Sequence, residues 1–286
     1  QHDIATLLEF GAHGLDRGWG DWSALRKNYL LADFLRDARP HTLLKSVHVQ
    51  ANFDPRNPAG ETAWLDSVAA APGSGGFPHG IVAFADLSRP DAEALIEQHK
   101  ASPRLRGIRQ VLNRHPDPKL NRAPADFLAD PAWQRNFALL RKHDLSFDAQ
   151  VYYQQMPALA ALARRYSDTT IILDHFGMPA ERDAAGLEGW RAGMQHLAAC
   201  PNIAVKLSGF GMVDLRWTAD SIRPFVRQTI DLFGPDRCMF ASNFTVDKLM
   251  RDYDSLWRAY AETVADLTAV EQEKLFIGTA ERIYRL

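Results

Sequence analysis

Cysteine is scarce in this chain: two residues, Cys200 and Cys238, among 286. That excludes a disulfide-stapled scaffold and any zinc site built from several thiolates. Both lie in apolar surroundings, so buried free thiols are expected, which suits a reducing, cytoplasmic setting. An excess of charge is also missing. Lysine plus arginine number 33 and aspartate plus glutamate 35, a net charge of −2, so nothing argues electrostatically for nucleic acid or an anionic membrane as partner. No apolar run approaches the roughly 20 residues that span a bilayer. The first residues carry neither the basic start nor the apolar core of a secretory signal. Gln1 is not an initiator, so residues upstream of it are expected. Composition breaks, low-complexity tracts and internal repeats are absent too, and 1–286 reads as a single domain.

What is present is a repeating construction. Ile171-Ile172-Leu173-Asp174-His175-Phe176-Gly177 and Cys238-Met239-Phe240-Ala241-Ser242-Asn243-Phe244 are short apolar runs that end abruptly in polar residues. Such a run fits a strand buried on both faces. Polar groups at its carboxyl end sit where parallel α/β barrels place their chemistry. Strands are expected at 43–50, 80–86, 105–112, 145–151, 170–175, 203–208 and 237–243. Helices are expected at 61–71, 90–100, 131–143, 156–166, 189–199 and 221–233, and from 252 and 268. Seven strands each followed by a helix imply a parallel sheet with right-handed crossovers. The expected fold is an α/β (β/α)8 TIM barrel with a modified or incomplete first strand; the segment 4–10 is a candidate for the missing member.

The strand ends carry His48 and Gln50, Asp86, Arg109, Asp148 and Gln150, His175, Lys206 and Ser208, and Ser242 and Asn243. Burying an unpaired polar group costs about 1–3 kcal/mol, so this concentration predicts a shared polar cavity. His175 suits proton transfer, oxyanion contact or metal ligation; a core imidazole tied to a carbonyl is the alternative. Asp174, its neighbour, is expected to point the opposite way. Arg109 offers a fork for a carboxylate or carbonyl oxygen, or else a rim ion pair. Lys206 would polarise a carbonyl or bind an acid, or else pair with a buried acid such as Asp148. His48 with Gln50, and Asp148 with Gln150, share faces two residues apart; Gln50 and Gln150 would bind a polyhydroxylated ligand or simply pack. Asp247, after the last strand, is a candidate base or a helix cap.

Six stretches in order resemble one family: Ser46-Val47-His48-Val49-Gln50-Ala51, Glu61-Thr62-Ala63-Trp64-Leu65, Arg106-Gly107-Ile108-Arg109, Leu173-Asp174-His175-Phe176-Gly177, Val205-Lys206-Leu207-Ser208-Gly209, and Phe233-Gly234-Pro235-Asp236-Arg237-Cys238-Met239-Phe240-Ala241-Ser242-Asn243. The chain is similar, from about residue 21 onward, to the amidohydrolase-related TIM-barrel hydrolases of the sugar-acid lactonase and pyrone-dicarboxylate lactonase branch. The resemblance implies opening of a lactone ring at the barrel mouth. It implies a site made from an HxH pair on the first strand, the His of the LDHFG-like motif and an acid on the last strand. It also implies zinc or a similar divalent ion in some members, dispensable in others. His175 carries over directly, as catalytic residue and, where a metal binds, as its ligand. No HxH occurs in this sequence, since His2 and His13 stand alone, and Asn243 occupies the position of the family's acid. A neutral amide is no general base. The expected mechanism is therefore attack by a water activated by Asp247 or His175, with Arg109 and Lys206 holding substrate oxygens. Two other readings share these residues: a barrel that only binds such a ligand, and a metal-dependent decarboxylase. The expected partner is a small-molecule substrate, and because such barrels often pair, a homodimer is an expected assembly.

Overall fold

The apolar runs form strands because both of their faces are covered, one by helices and the other by the barrel interior. The computed structural model describes residues 23–25, 27–51 and 54–286. Seven strands follow one another across one sheet in sequence order: β1 (Val47–Val49), β2 (Gly80–Phe84), β3 (Leu105–Val111), β4 (Ser146–Gln150), β5 (Ile171–Leu173), β6 (Ile203–Leu207) and β7 (Cys238–Phe240). Every neighbouring pair is parallel. The helices are α1 (Leu31–Asp37), α2 (Pro58–Ala70), α3 (Ala92–His99), α4 (Pro131–Asn136), α5 (Ala138–Lys142), α6 (Met156–Arg165), α7 (Ala184–Ala198), α8 (Ala219–Phe233), α9 (Tyr253–Thr263), α10 (Ala269–Glu273) and α11 (Thr279–Tyr284). All seven expected strands are present. The candidate strand at 4–10 lies outside the described residues.

Register divides the side chains into two sets. Ile108, Phe147, Ile171 and Ile203 stand in line and belong to the main core between sheet and helices. Arg109, Asp148, Ile172 and Ala204 stand in the other line. From this second face Val82, Ile172, Ala204 and Met239 meet Ile283 and Tyr284 of α11 in a separate cluster. Val82 on β2 and Met239 on β7 come from distant strands of the sheet, so they share a cluster only because the sheet curls into a barrel. Among the described residues no ladder joins β1 to β7.

Several helices start earlier than their apolar pattern indicates, because a capping side chain reaches back. Asn57 accepts from the Gly60 amide, so α2 begins at Pro58. Asp183 accepts from Gly186 and starts α7 at Ala184. Thr218 accepts from Ser221 and starts α8 at Ala219. Each cap satisfies an amide that lacks an intrahelical acceptor and contributes about 1 kcal/mol. The helix expected at 131–143 is two pieces, divided at Phe137; that ring is wholly buried between Trp133 and Phe147.

The feature that most directly shapes the mouth is the end of β5. The strand stops at Leu173, and Asp174–Gly177 turns sharply through left-handed backbone, with φ of 53° at His175 and 42° at Phe176. Non-glycine residues in that region cost about 1–3 kcal/mol and persist only where packing enforces them. Here Phe176 stacks on Phe210 at 4.3 Å, and Trp190 Nε1 donates to its carbonyl at 2.8 Å. Gly177 continues the turn at φ +75°, and a Cβ there would stand 2.0 Å from Met156 Cε. Gly177→Ala is expected to lower unfolding free energy by about 2–4 kcal/mol, read as a reduced midpoint in urea; an unchanged midpoint would contradict this account of the turn.

Candidate active site

At the mouth of the barrel, inward-facing positions on β3, β4 and β6 and the turn after β5 bring four charges together. Lys206 Nζ lies between two carboxylates, in contact with Asp148 Oδ2 and 3.0 Å from Asp174 Oδ1. Arg109 Nε donates to Asp174 Oδ2 at 2.9 Å, and its Nη2 donates to Gln150 Oε1. Gln150 Nε2 passes the network to Asn113 Oδ1 at 2.7 Å. Two cations and two carboxylates balance. That balance matters because Asp148, Asp174 and Lys206 are all buried, and an unpaired charge there would cost several kcal/mol. Burial alone would lower the Lys206 pKa, but Asp148 and Asp174 outweigh it and hold the ammonium well above its ordinary value. Burial would likewise raise Asp174, yet Lys206 and Arg109 keep it below the usual carboxylate range. The buried pairing of Lys206 with Asp148 that the sequence allows is present, and Asp174 joins it.

Asp174 does not point away from His175 as strand alternation predicts. The chain has left strand geometry at Leu173, and both side chains line the same cavity. His175 Nδ1 sits 2.9 Å from Ser208 Oγ, which leaves Nε2 as the ring nitrogen free for chemistry. Burial, together with the Arg109 and Lys206 charges and against the pull of Asp174, lowers its pKa to about 4. The imidazole is therefore neutral throughout the neutral pH range. Gly209, at φ +68°, is required beside it: a Cβ would stand 2.5 Å from His175 Nδ1.

The cavity has a volume of about 1340 Å³ and is lined by His48, Gln50, Arg109, Gln150, His175, Lys206 and Asn243, among others. Within it, His48 pairs outside the charge cluster. The register sets His48 beside Ile81, on the helix side, and its Nε2 lies 2.9 Å from Glu61 Oε1 on α2. Glu61 also accepts from the Ala51 amide at 2.7 Å, a tie that neither the helix pattern nor the family-like stretch beginning at Glu61 announces. Asp86 turns to Ser88 and Gln110 rather than to the cavity.

Asn243 is in left-handed backbone with φ 48°, like His175, and its Nδ2 lies 3.4 Å from Asp247 Oδ1. Asp247 is fully buried, does not line the cavity, and its Oδ2 has no hydrogen-bond partner among the described residues. Burial raises its pKa to about 7, against hydrogen bonds from Asn243 and the Gly209 amide. A sealed carboxyl behind Asn243 cannot touch substrate in this arrangement; it links the loop after β7 to the loop after β6.

The described residues alone offer a metal ion an incomplete set of ligands. Among the described residues no three of His, Cys, Asp or Glu are grouped to hold one. His175 offers one nitrogen, Asp174 is engaged by two cations, and Asn243 is a neutral amide, where a catalytic zinc takes three protein ligands.

Comparisons with known proteins place the chain among relatives of one family. The Amidohydrolase family matches residues 13–286. An uncharacterised protein, y4mH of Sinorhizobium fredii, is 44% identical over 94% of this chain and 89% of its own length. An L-fucono-1,5-lactonase of Burkholderia multivorans is 31% identical over 93% of this chain and 90% of its own. A crystal structure of an amidohydrolase from Burkholderia multivorans with bound zinc superposes with a TM-score of 0.81 at 28% identity, covering 100% of this chain and 95% of that one.

The buried acid behind Asn243 makes a pH-dependent prediction. The folded state keeps the Asp247 proton up to about pH 7, whereas the unfolded chain releases it near 3.8. Stability from this group is therefore lost as pH rises through that window. Asp247→Asn, which keeps the shape and carries no charge, is expected to gain stability over the parent protein from pH 5 to pH 8, by a difference on the order of a few kcal/mol. Urea unfolding at the two pH values checks it, and a difference that shrinks with rising pH would contradict it.

Proposed function

The chain belongs to the amidohydrolase family, and on that premise we propose that it is a hydrolase that opens the lactone ring of a sugar-derived acid. The observation that carries the reading is the juxtaposition of a neutral imidazole, fixed through Nδ1 by Ser208, with the Arg109–Asp174–Lys206 cluster along one cavity. In the proposed reaction a water on the His175 Nε2 side attacks the lactone carbonyl. His175 accepts the proton as the new C–O bond forms. Negative charge then develops on the former carbonyl oxygen, where Arg109, preorganised by Asp174 and Gln150, donates hydrogen bonds that strengthen with the charge. Collapse of the tetrahedral intermediate breaks the ring C–O bond, and the proton returns from His175 to the departing ring oxygen. The products are a hydroxyl and a carboxylic acid, which ionises to solvent.

His175 is preferred to Asp247 as the base because it reaches the cavity and Asp247 does not. Lys206 keeps Asp174 charged and oriented rather than contacting substrate directly. Asn243 and Gln150 supply neutral polar contacts for ring hydroxyls, and His48 and Gln50 extend that polar lining toward β1. The lactonase named among the relatives supports a sugar lactone as the substrate class. The charge balance at the cluster favours a neutral, polyhydroxylated ring over a dicarboxylated one, since each cation there is already matched by a carboxylate.

The test is hydrolysis of a panel of aldono-1,5-lactones and aldono-1,4-lactones by the purified protein, followed by acid release. Ring opening is expected, and His175→Ala is expected to lower turnover by about 100-fold or more. Loss of less than about threefold would remove His175 from the mechanism. Tight binding of the lactones without ring opening would replace hydrolysis by a binding function.

A further inference from the structure

The floor of the barrel is closed by the C-terminal helix, and one residue of it reaches the charged cluster. Ile283 and Tyr284 of α11 are buried among Val82, Ile172, Ala204 and Met239. The helix ends at Arg285, in left-handed backbone with φ 53°, and the turn is fastened on both sides. Arg285 donates to the carbonyls of Arg106 and Asp144, Arg106 donates back to the Arg285 carbonyl, and Lys45 donates to the Leu286 carbonyl at 3.0 Å. These partners all precede or open strands, so the segment sits at the end of the barrel opposite the mouth. From there the Tyr284 hydroxyl rises through the interior and donates to Asp148 Oδ2 at 2.8 Å. That is the same oxygen that Lys206 contacts, and Lys206 Nζ lies 5.5 Å from the centre of the Tyr284 ring.

We propose that Tyr284 is a positioning residue for the active site: from the barrel floor it fixes Asp148, which fixes Lys206, which with Asp174 sets the guanidinium of Arg109 at the mouth. The argument rests on the reading of Arg109 as an oxyanion donor in lactone opening. Asp148 Oδ1 has no hydrogen-bond partner among the described residues, so Oδ2 carries the contacts that orient this carboxylate. Burial holds the phenol far above its ordinary pKa, which keeps it a donor. Removing that donor leaves Asp148 anchored by Lys206 alone, and the pair is then free to shift together. A displacement of about 1 Å in a group that stabilises the transition state costs up to about 100-fold in rate.

Tyr284→Phe removes one oxygen and keeps the ring in its cluster. On a lactone that the parent protein opens, kcat is expected to fall about 10- to 100-fold while KM changes by less than about threefold. Ile283→Val trims the same cluster without touching a hydrogen bond, and is expected to lower the urea midpoint while leaving kcat within about twofold. A kcat for Tyr284→Phe within about twofold of the parent overturns the proposal, as does an equal loss in Ile283→Val, which would make packing the whole effect. If the parent protein opens no lactone, the functional reading fails, and stability decides the inference by itself. The shift in urea midpoint caused by Tyr284→Phe should then be at most about half as large in Asp148→Asn and Asp148→Leu backgrounds, because a hydrogen bond to a charged acceptor is roughly twice as strong as one to a neutral acceptor. Equal shifts in every background overturn it.

Discussion

The structure depends on a single ammonium held between two buried carboxylates. Lys206 comes from β6, Asp148 from β4 and Asp174 from the turn after β5, so the contact ties three elements to one point inside the barrel. Such an arrangement is expensive to build, because each ion gives up its hydration, and it holds only while all the partners are present. It therefore acts as a specification as much as a source of stability. The strands must curl until these groups meet, and Arg109 must lie where Asp174 can receive it. The hydrocarbon core around the helices supplies the bulk of the folding free energy, while this cluster fixes where the interior of the barrel stops being packed and begins to be a site.

Around that anchor, strained backbone does the aiming. His175 and Asn243 both adopt left-handed conformations immediately after strands. In each case a neighbour takes up the strain: the Phe176–Phe210 stack below the first, and the buried Asp247 behind the second. The effect is to turn an imidazole and an amide toward the cavity from positions that straight strands would not have given them. Gly209 belongs to the same device, since only a residue without a side chain leaves room for the His175 ring.

Much of this was legible in the sequence. The seven strands are present because buried parallel strands need continuous apolar runs, and runs such as Ile171-Ile172-Leu173 cannot be hidden by context. The polar strand ends were equally visible, and most of the residues they named line one cavity. What sequence could not give was the backbone after the strands. Alternation sent Asp174 away from His175, whereas a turn with positive φ brings both inward. Asp247 looked like a base because it is an acid near a strand end; only packing shows that it is sealed from the cavity. His48 lines the cavity as its strand-end position predicts, while its tie to Glu61 on α2 has no counterpart in the strand pattern. Tyr284 carried no signal, since its partner lies 136 residues away in sequence. Each miss concerns long-range packing or turn geometry, which composition and periodicity do not encode.

The claim that one buried ammonium organises both fold and site is tested most directly by measuring Lys206→Met for unfolding and for lactone hydrolysis in the same preparation. The account predicts a loss of about 3–5 kcal/mol in unfolding free energy, because two carboxylates are left facing each other without their cation, together with loss of ring opening in the fraction that remains folded. A variant as stable as the parent protein, or one that hydrolyses the lactone at the parent rate, would contradict it.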